Sequence, residues 1–120
     1  MRFSNFTFIF LCAFSRLVFA QDANAGKTLF QECVACHSVT PGENGVGPSL
    51  AGVYGRPAGT VEGFRYSNAV KKSGITWDAG SLDQYISNPQ SLISGSRMPY
   101  SGMASEADRL NLIAYLKTLN

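Results

Sequence analysis

"QECVACHSVT", residues 31–40, places two thiols and an imidazole side by side: Cys33, Cys36 and His37. The chain has one other cysteine, Cys12, and no other histidine. A structural zinc site takes four Cys or His ligands, and no second pair is present. A thioredoxin-like redox pair belongs in a strand–helix–strand setting, and the flanking residues show none. A disulfide between Cys33 and Cys36 would close too small a loop to constrain the unfolded chain much. C-x-x-C-H is, however, the spacing of covalent haem attachment. The two thiols can each add to one vinyl group on the porphyrin edge. His37 is then carried beneath the ring, where a nitrogen reaches the iron.

Upstream of this stretch, "DANAGKTLFQECV" predicts a helix over 22–34. Asp22 can cap its start, and Ala25, Leu29, Phe30 and Val34 follow the helical apolar spacing. Downstream, Gly42, Gly45, Gly47, Gly52, Gly55, Gly59 and Gly63 arrive with Pro41, Pro48 and Pro57. Helix and strand do not survive that density of breakers, so 38–64 is loop. A phosphate-binding role is excluded, because the Gly-rich loop lacks a preceding strand and a following helix. Short helices are expected at 67–73 and 78–87, with a further turn at 89–93 after Asn88. The last helix opens on a capping box of Ser105 with Asp108. Leu110, Leu112, Ile113, Leu116 and Leu119 give it a broad apolar face. The fold class is all-α, with about five helices and long loops. So few elements bury little by themselves, which calls for one sizeable apolar group at the centre.

A haem held by one histidine has a second axial position to fill. The candidates downstream are Met98 and Met103. Met98 precedes Pro99, which biases it to extended backbone, in a Gly/Ser-rich loop able to cross the iron. Met103 lies just before the capped helix, where apolar packing is its ordinary use. Met98 is therefore read as the ligand and Met103 as core.

The first twenty residues differ from the rest. Arg2, an apolar run over 6–14 and the small-residue ending Val18-Phe19-Ala20 fit a secretory signal. Residues 21–120 then form one domain. A retained membrane anchor is the competing reading, and the apolar run is short of the roughly 20 residues a bilayer helix needs. Arg16 interrupts the stretch in either case, and Cys12 gets no role. Arg2 and Arg16 account for the whole excess of basic over acidic residues, 10 against 8. The remaining domain is formally neutral, with no basic run that would suggest nucleic acid. Composition, at 45% hydrophobic and 15% charged, excludes a disordered chain.

Five motifs in order resemble a class I cytochrome c, of the bacterial soluble type close to the mitochondrial protein. They are "GKTLFQECVACH" at 26–37, "GPSLAGVYGR" at 47–56, "GFRYSNAVKKSGITW" at 63–77, "SRMPYSGM" at 96–103 and "LIAYLK" at 112–117. The resemblance covers 21–120 and implies one haem c bound through Cys33 and Cys36. It implies that His37 and Met98 are the metal ligands. Pro48 would take the His37 ring N–H on its carbonyl, which orients the imidazole. Arg56, Tyr66 and Trp77 would serve one haem propionate, and Ser96 would stand near the other. Tyr85 would donate towards the Met98 sulfur. Gly26 and Phe30 would meet Leu112 and Tyr115 where the first and last helices cross. Val70 departs from the polar residue many relatives carry near the haem.

The implied function is one-electron shuttling in the periplasm, from a quinol-oxidising cytochrome bc complex to a terminal oxidase. The resemblance also implies a monomer, with no small-molecule substrate and no catalytic residues. Lys27, Arg65, Lys71, Lys72 and Arg97 would form a mild docking surface. The alternatives are a haem peroxidase or gas binder, should Met98 ligate weakly, and a dedicated acceptor for one periplasmic dehydrogenase. A membrane-anchored form facing the periplasm is the outcome if residues 1–20 are retained.

Overall fold

The computed structural model describes Ala13 and residues 21–120. The segment read as a signal, with Cys12, Arg2 and Arg16, otherwise lies outside the described residues.

Helix α1 spans Ala23–Leu29. Asp22 caps it, accepting from the N–H groups of Asn24 at 2.8 Å and Ala25 at 3.2 Å. It is shorter than the helix expected over 22–34. A 3-10 turn, Phe30–Glu32, takes over. Cys33 N–H then bonds the Phe30 carbonyl, and the Cys36 and His37 N–H groups both bond that of Cys33. The physical reason lies in the residues after Leu29. Glu32 is unfavourable at the negative end of a helix, and Val34 stands half-exposed, so no buried face rewards another turn.

Helix α2 is Asn68–Lys72, capped by Ser67. Helix α3, Ala79–Ser87, opens on a reciprocal box in which Asp78 and Ser81 bond each other's backbone N–H. Helix α4, Pro89–Leu92, starts on a proline, the position where a missing N–H costs nothing. Helix α5 is Glu106–Lys117. Ser105 accepts from Asp108 N–H at 3.2 Å. This is the serine half of the expected capping box; the full reciprocal box forms at α3. Among the described residues there is no strand, and the one bridge pairs Pro57 with Thr76.

Helices α1 and α5 cross at Gly26. A Cβ there would overlap the Asn111 carbonyl and lie 2.8 Å from Tyr115 Cβ. The bare backbone lets the helices close until the Phe30 and Tyr115 rings stand 5.3 Å apart. Asp22 N–H also reaches the Asn111 side chain at 2.9 Å. Phe30, Leu82, Ile86, Leu112, Ile113 and Leu116 make most of the buried helical core. The other side is closed by the 38–64 loop rather than by another helix.

Side chains satisfy that loop's backbone. Asn44 donates to the Glu62 carbonyl and accepts from Ser49 N–H, both at 3.0 Å. Arg56 donates to the Ala51 carbonyl at 2.9 Å and the Ser49 carbonyl at 3.2 Å. Gly52, at φ +66°, sends its N–H to the Leu119 carbonyl at 2.8 Å and ties the loop to the chain's end.

Candidate cofactor site

Helices and loop enclose a cavity of about 370 Å³. All ten residues assigned to the site from sequence line it: Cys33, Cys36, His37, Pro48, Arg56, Tyr66, Trp77, Tyr85, Ser96 and Met98. They come from five separate stretches of chain. Met103 is not among the lining residues and is buried in the core instead.

His37 Nδ1 lies 2.7 Å from the Pro48 carbonyl oxygen. That oxygen can only accept, so Nδ1 carries the proton and Nε2 keeps its lone pair. Burial pushes the His37 pKa below the ordinary histidine value. The Pro48 carbonyl pulls it up, and the Arg56 charge pulls it down again. The result is a neutral imidazole with one nitrogen available as a donor. Gly47 gives the ring its room. A Cβ there would sit 2.7 Å from Nδ1 and 2.9 Å from Nε2. Sequence reasoning reads Gly47 only as a breaker; its place immediately before Pro48 is the signal that could have marked it.

Cys33 and Cys36 are both free thiols, half-buried at the rim. The Cys33 pKa is pushed up to about 11, by burial first and then by Glu32 and Cys36. Its sulfur is thus a neutral thiol, with little thiolate to attack unaided.

Arg56 brings a cation to the wall. Burial lowers its pKa, against a pull upward from Tyr66. Its partners are the two loop carbonyls, and among the described residues the one side-chain ion pair is Arg109 with Asp83. A half-buried guanidinium without a carboxylate favours an anionic group beside it. Tyr66 accepts at its hydroxyl from Val61 N–H at 3.0 Å, leaving its proton free to donate elsewhere. Trp77 is buried, with its ring 4.9 Å from that of Tyr85.

Tyr85 differs from expectation. Its hydroxyl pairs with Ser96 Oγ, not with the Met98 sulfur. Ser96 Oγ lies 3.5 Å from Met98 N–H, and the Ser96 carbonyl accepts from Gln90 Nε2 at 2.6 Å. Ser96 takes the phenol instead, held in place from α4 by Gln90. Val70, Leu82, Ile86, Leu112 and Leu116 supply the apolar walls. Glu32 and Tyr100 stand at the mouth, and sequence reasoning assigns neither a role.

The donor set is two thiols at one rim, a neutral imidazole, a thioether and a cation around apolar walls. A flat apolar macrocycle with acidic substituents and a central metal suits all of them. Comparisons with known proteins agree. The family model for cytochrome c matches residues 23–120. The chain belongs to the cytochrome c family. It is 53% identical over 98 residues to cytochrome c2 iso-2 of Magnetospirillum molischianum, covering 82% of this chain and 98% of that one. Cytochrome c2 of Rhodoblastus acidophilus is 51% identical, with 81% and 92% covered. Among solved structures, cytochrome cH from Methylobacterium extorquens superposes with a TM-score of 0.77 at 43% identity, covering 81% of this chain and 98% of that one. The protein is therefore an all-α class I cytochrome c. It carries one haem c bonded through Cys33 and Cys36, and it transfers electrons rather than catalysing a reaction.

Proposed function

We propose that this cytochrome c is a six-coordinate one-electron shuttle, with His37 and Met98 as the axial ligands. One observation carries the reading. His37 and Met98, from distant stretches of chain, both line one cavity, while Met103 is packed in the core. The haem supplies a ferric/ferrous couple. His37 presents Nε2, and the Pro48 carbonyl orients it and strengthens it as a donor. Met98 offers a thioether, which favours the ferrous state and raises the potential. The apolar walls act in the same direction, because they disfavour the extra positive charge of the ferric centre. Arg56, Tyr66 and Trp77, which line the cavity, would receive one propionate. Ser96, paired with Tyr85, would stand near the other.

The proposed setting is the periplasm, reached by a cleaved signal at residues 1–20. Among the described residues no helix is long and apolar enough to cross a membrane. The proposed donor is a quinol-oxidising cytochrome bc complex and the acceptor a terminal oxidase. Exposed Arg65 and Arg97 flank the cavity mouth. Lys27, Lys71 and Lys72 are exposed as well. Docking should therefore be brief and weaken with salt.

The test is the visible spectrum of the ferric holoprotein. Low-spin bands with the weak red sulfur-to-iron transition are expected. Met98→Ala should abolish that transition and lower the potential, while Met103→Ala keeps it and loses stability by about 2–5 kcal/mol. A high-spin wild-type spectrum would overturn six-coordination. Loss of the transition in Met103→Ala alone would reassign the ligand.

A further inference from the structure

The loop that carries Met98 is pinned at both ends. At Ser96, the carbonyl takes Gln90 Nε2 and the hydroxyl takes Tyr85. At the far end, Met103 N–H bonds the Ile86 carbonyl at 2.9 Å. Arg109 donates to the Met103 and Ala104 carbonyls, both at 2.9 Å. Between these pins the chain has little local support. Pro99 has no N–H to give, and Met98 N–H reaches only Ser96 Oγ at 3.5 Å; Gly102 already lies against the Ser87 carbonyl and belongs to the far pin. One side chain from this limb crosses the cavity mouth. Tyr100 Oη donates to Glu32 Oε2 at 2.8 Å, joining residues 68 positions apart.

The bond is well placed to matter. Glu32 immediately precedes Cys33, and Tyr100 lies two residues beyond Met98. Both line the cavity. The Tyr100 ring packs against the core while its hydroxyl meets an exposed carboxylate. The ring therefore anchors the limb by burial, and the hydroxyl fixes where it lands. A hydrogen bond to an ionised acceptor is stronger than a neutral one.

We infer that Tyr100 is a positioning residue for electron transfer, its hydrogen bond to Glu32 latching the methionine loop to the cysteine-bearing segment and so keeping Met98 in place against outside ligands. The inference rests on Met98 being the sulfur ligand; the latch itself does not. Deleting either half frees the middle of the loop without touching a ligand or a thiol.

The experiment uses ferric holoprotein and two readouts: amide hydrogen exchange over 97–104, and titration with imidazole as a competing ligand. Tyr100→Phe and Glu32→Ala should each raise loop exchange and imidazole affinity about fivefold, the factor one net hydrogen bond commands. The double variant should do no more than either single one. Glu32→Gln keeps an acceptor oxygen and should fall between. Unchanged loop exchange, or additive effects in the double variant, overturns the latch. Raised exchange with unchanged imidazole affinity overturns its link to Met98. A wild-type protein without the sulfur-to-iron transition overturns Met98 ligation instead, and leaves loop exchange to judge the latch.

Discussion

Substituting Gly26 by alanine sets two physical effects of opposite sign against each other. By helix propensity alone, Gly→Ala inside α1 should stabilise by about 1 kcal/mol. The crossing with α5 says otherwise. The added Cβ would overlap the Asn111 carbonyl, stand 2.7 Å from its carbon and lie 2.8 Å from Tyr115 Cβ. The first two are backbone atoms of a helix and do not rotate away. The helices must separate, and strain of this kind costs about 1–3 kcal/mol. Separation also stretches the 2.9 Å bond from Asp22 N–H to Asn111, worth about 1 kcal/mol. The Phe30–Tyr115 pair at 5.3 Å loosens too, worth about 0.5–1.5 kcal/mol. Net of the propensity gain, the loss is about 1.5–4.5 kcal/mol, or on the order of 10–30 °C in melting temperature for a domain this size. Thermal and urea melts of the holoprotein, followed by far-UV circular dichroism, would measure it. A Gly26→Ala protein as stable as wild type or more so would refute the close crossing.

Two more substitutions probe the site and a cap. Gly47→Ala should push the His37 ring from its seat against Pro48, lowering the yield of holoprotein and shifting its reduction potential, which spectroelectrochemistry would read. Asp78 is held below the ordinary aspartate value by its bonds from Ser81 backbone and side chain. Its contribution is therefore present above the unfolded-state value and lost as pH falls through the lower folded value. Asp78→Ala should be less stable than wild type at neutral pH, and the two should converge in acid, as urea melts across that range would show.

The parts of the fold read most directly from sequence are those whose signals are local. Asp22 and Ser105 are read as caps because a short polar side chain bonds N–H groups two or three residues on. The Cys33–His37 spacing is likewise self-contained. The end of α1 is not legible in this way, because the apolar spacing continues through Val34. The backbone instead tightens at Phe30, where no neighbour is present to bury the next turn. The partner of the Tyr85 hydroxyl is hidden too, because Ser96 is brought to it by the α4 turn, not by sequence proximity. Gly47 and the Tyr100–Glu32 bond are contacts across a cavity, and no local pattern encodes them. The motif order carries the family, and the cavity wall supplies the positions of its side chains.

The crossing of α1 with α5 has a consequence for how the chain is made. A helix of 7 residues is not stable alone, so α1 holds its shape only once α5 has packed on it. Until then the Cys33–His37 segment has no fixed surroundings. The sulfurs that end up half-covered at a rim stay open to an incoming haem until that packing occurs. Placing the attachment signature directly behind a helix that must wait for α5 thus keeps the window for loading open until the two helices close.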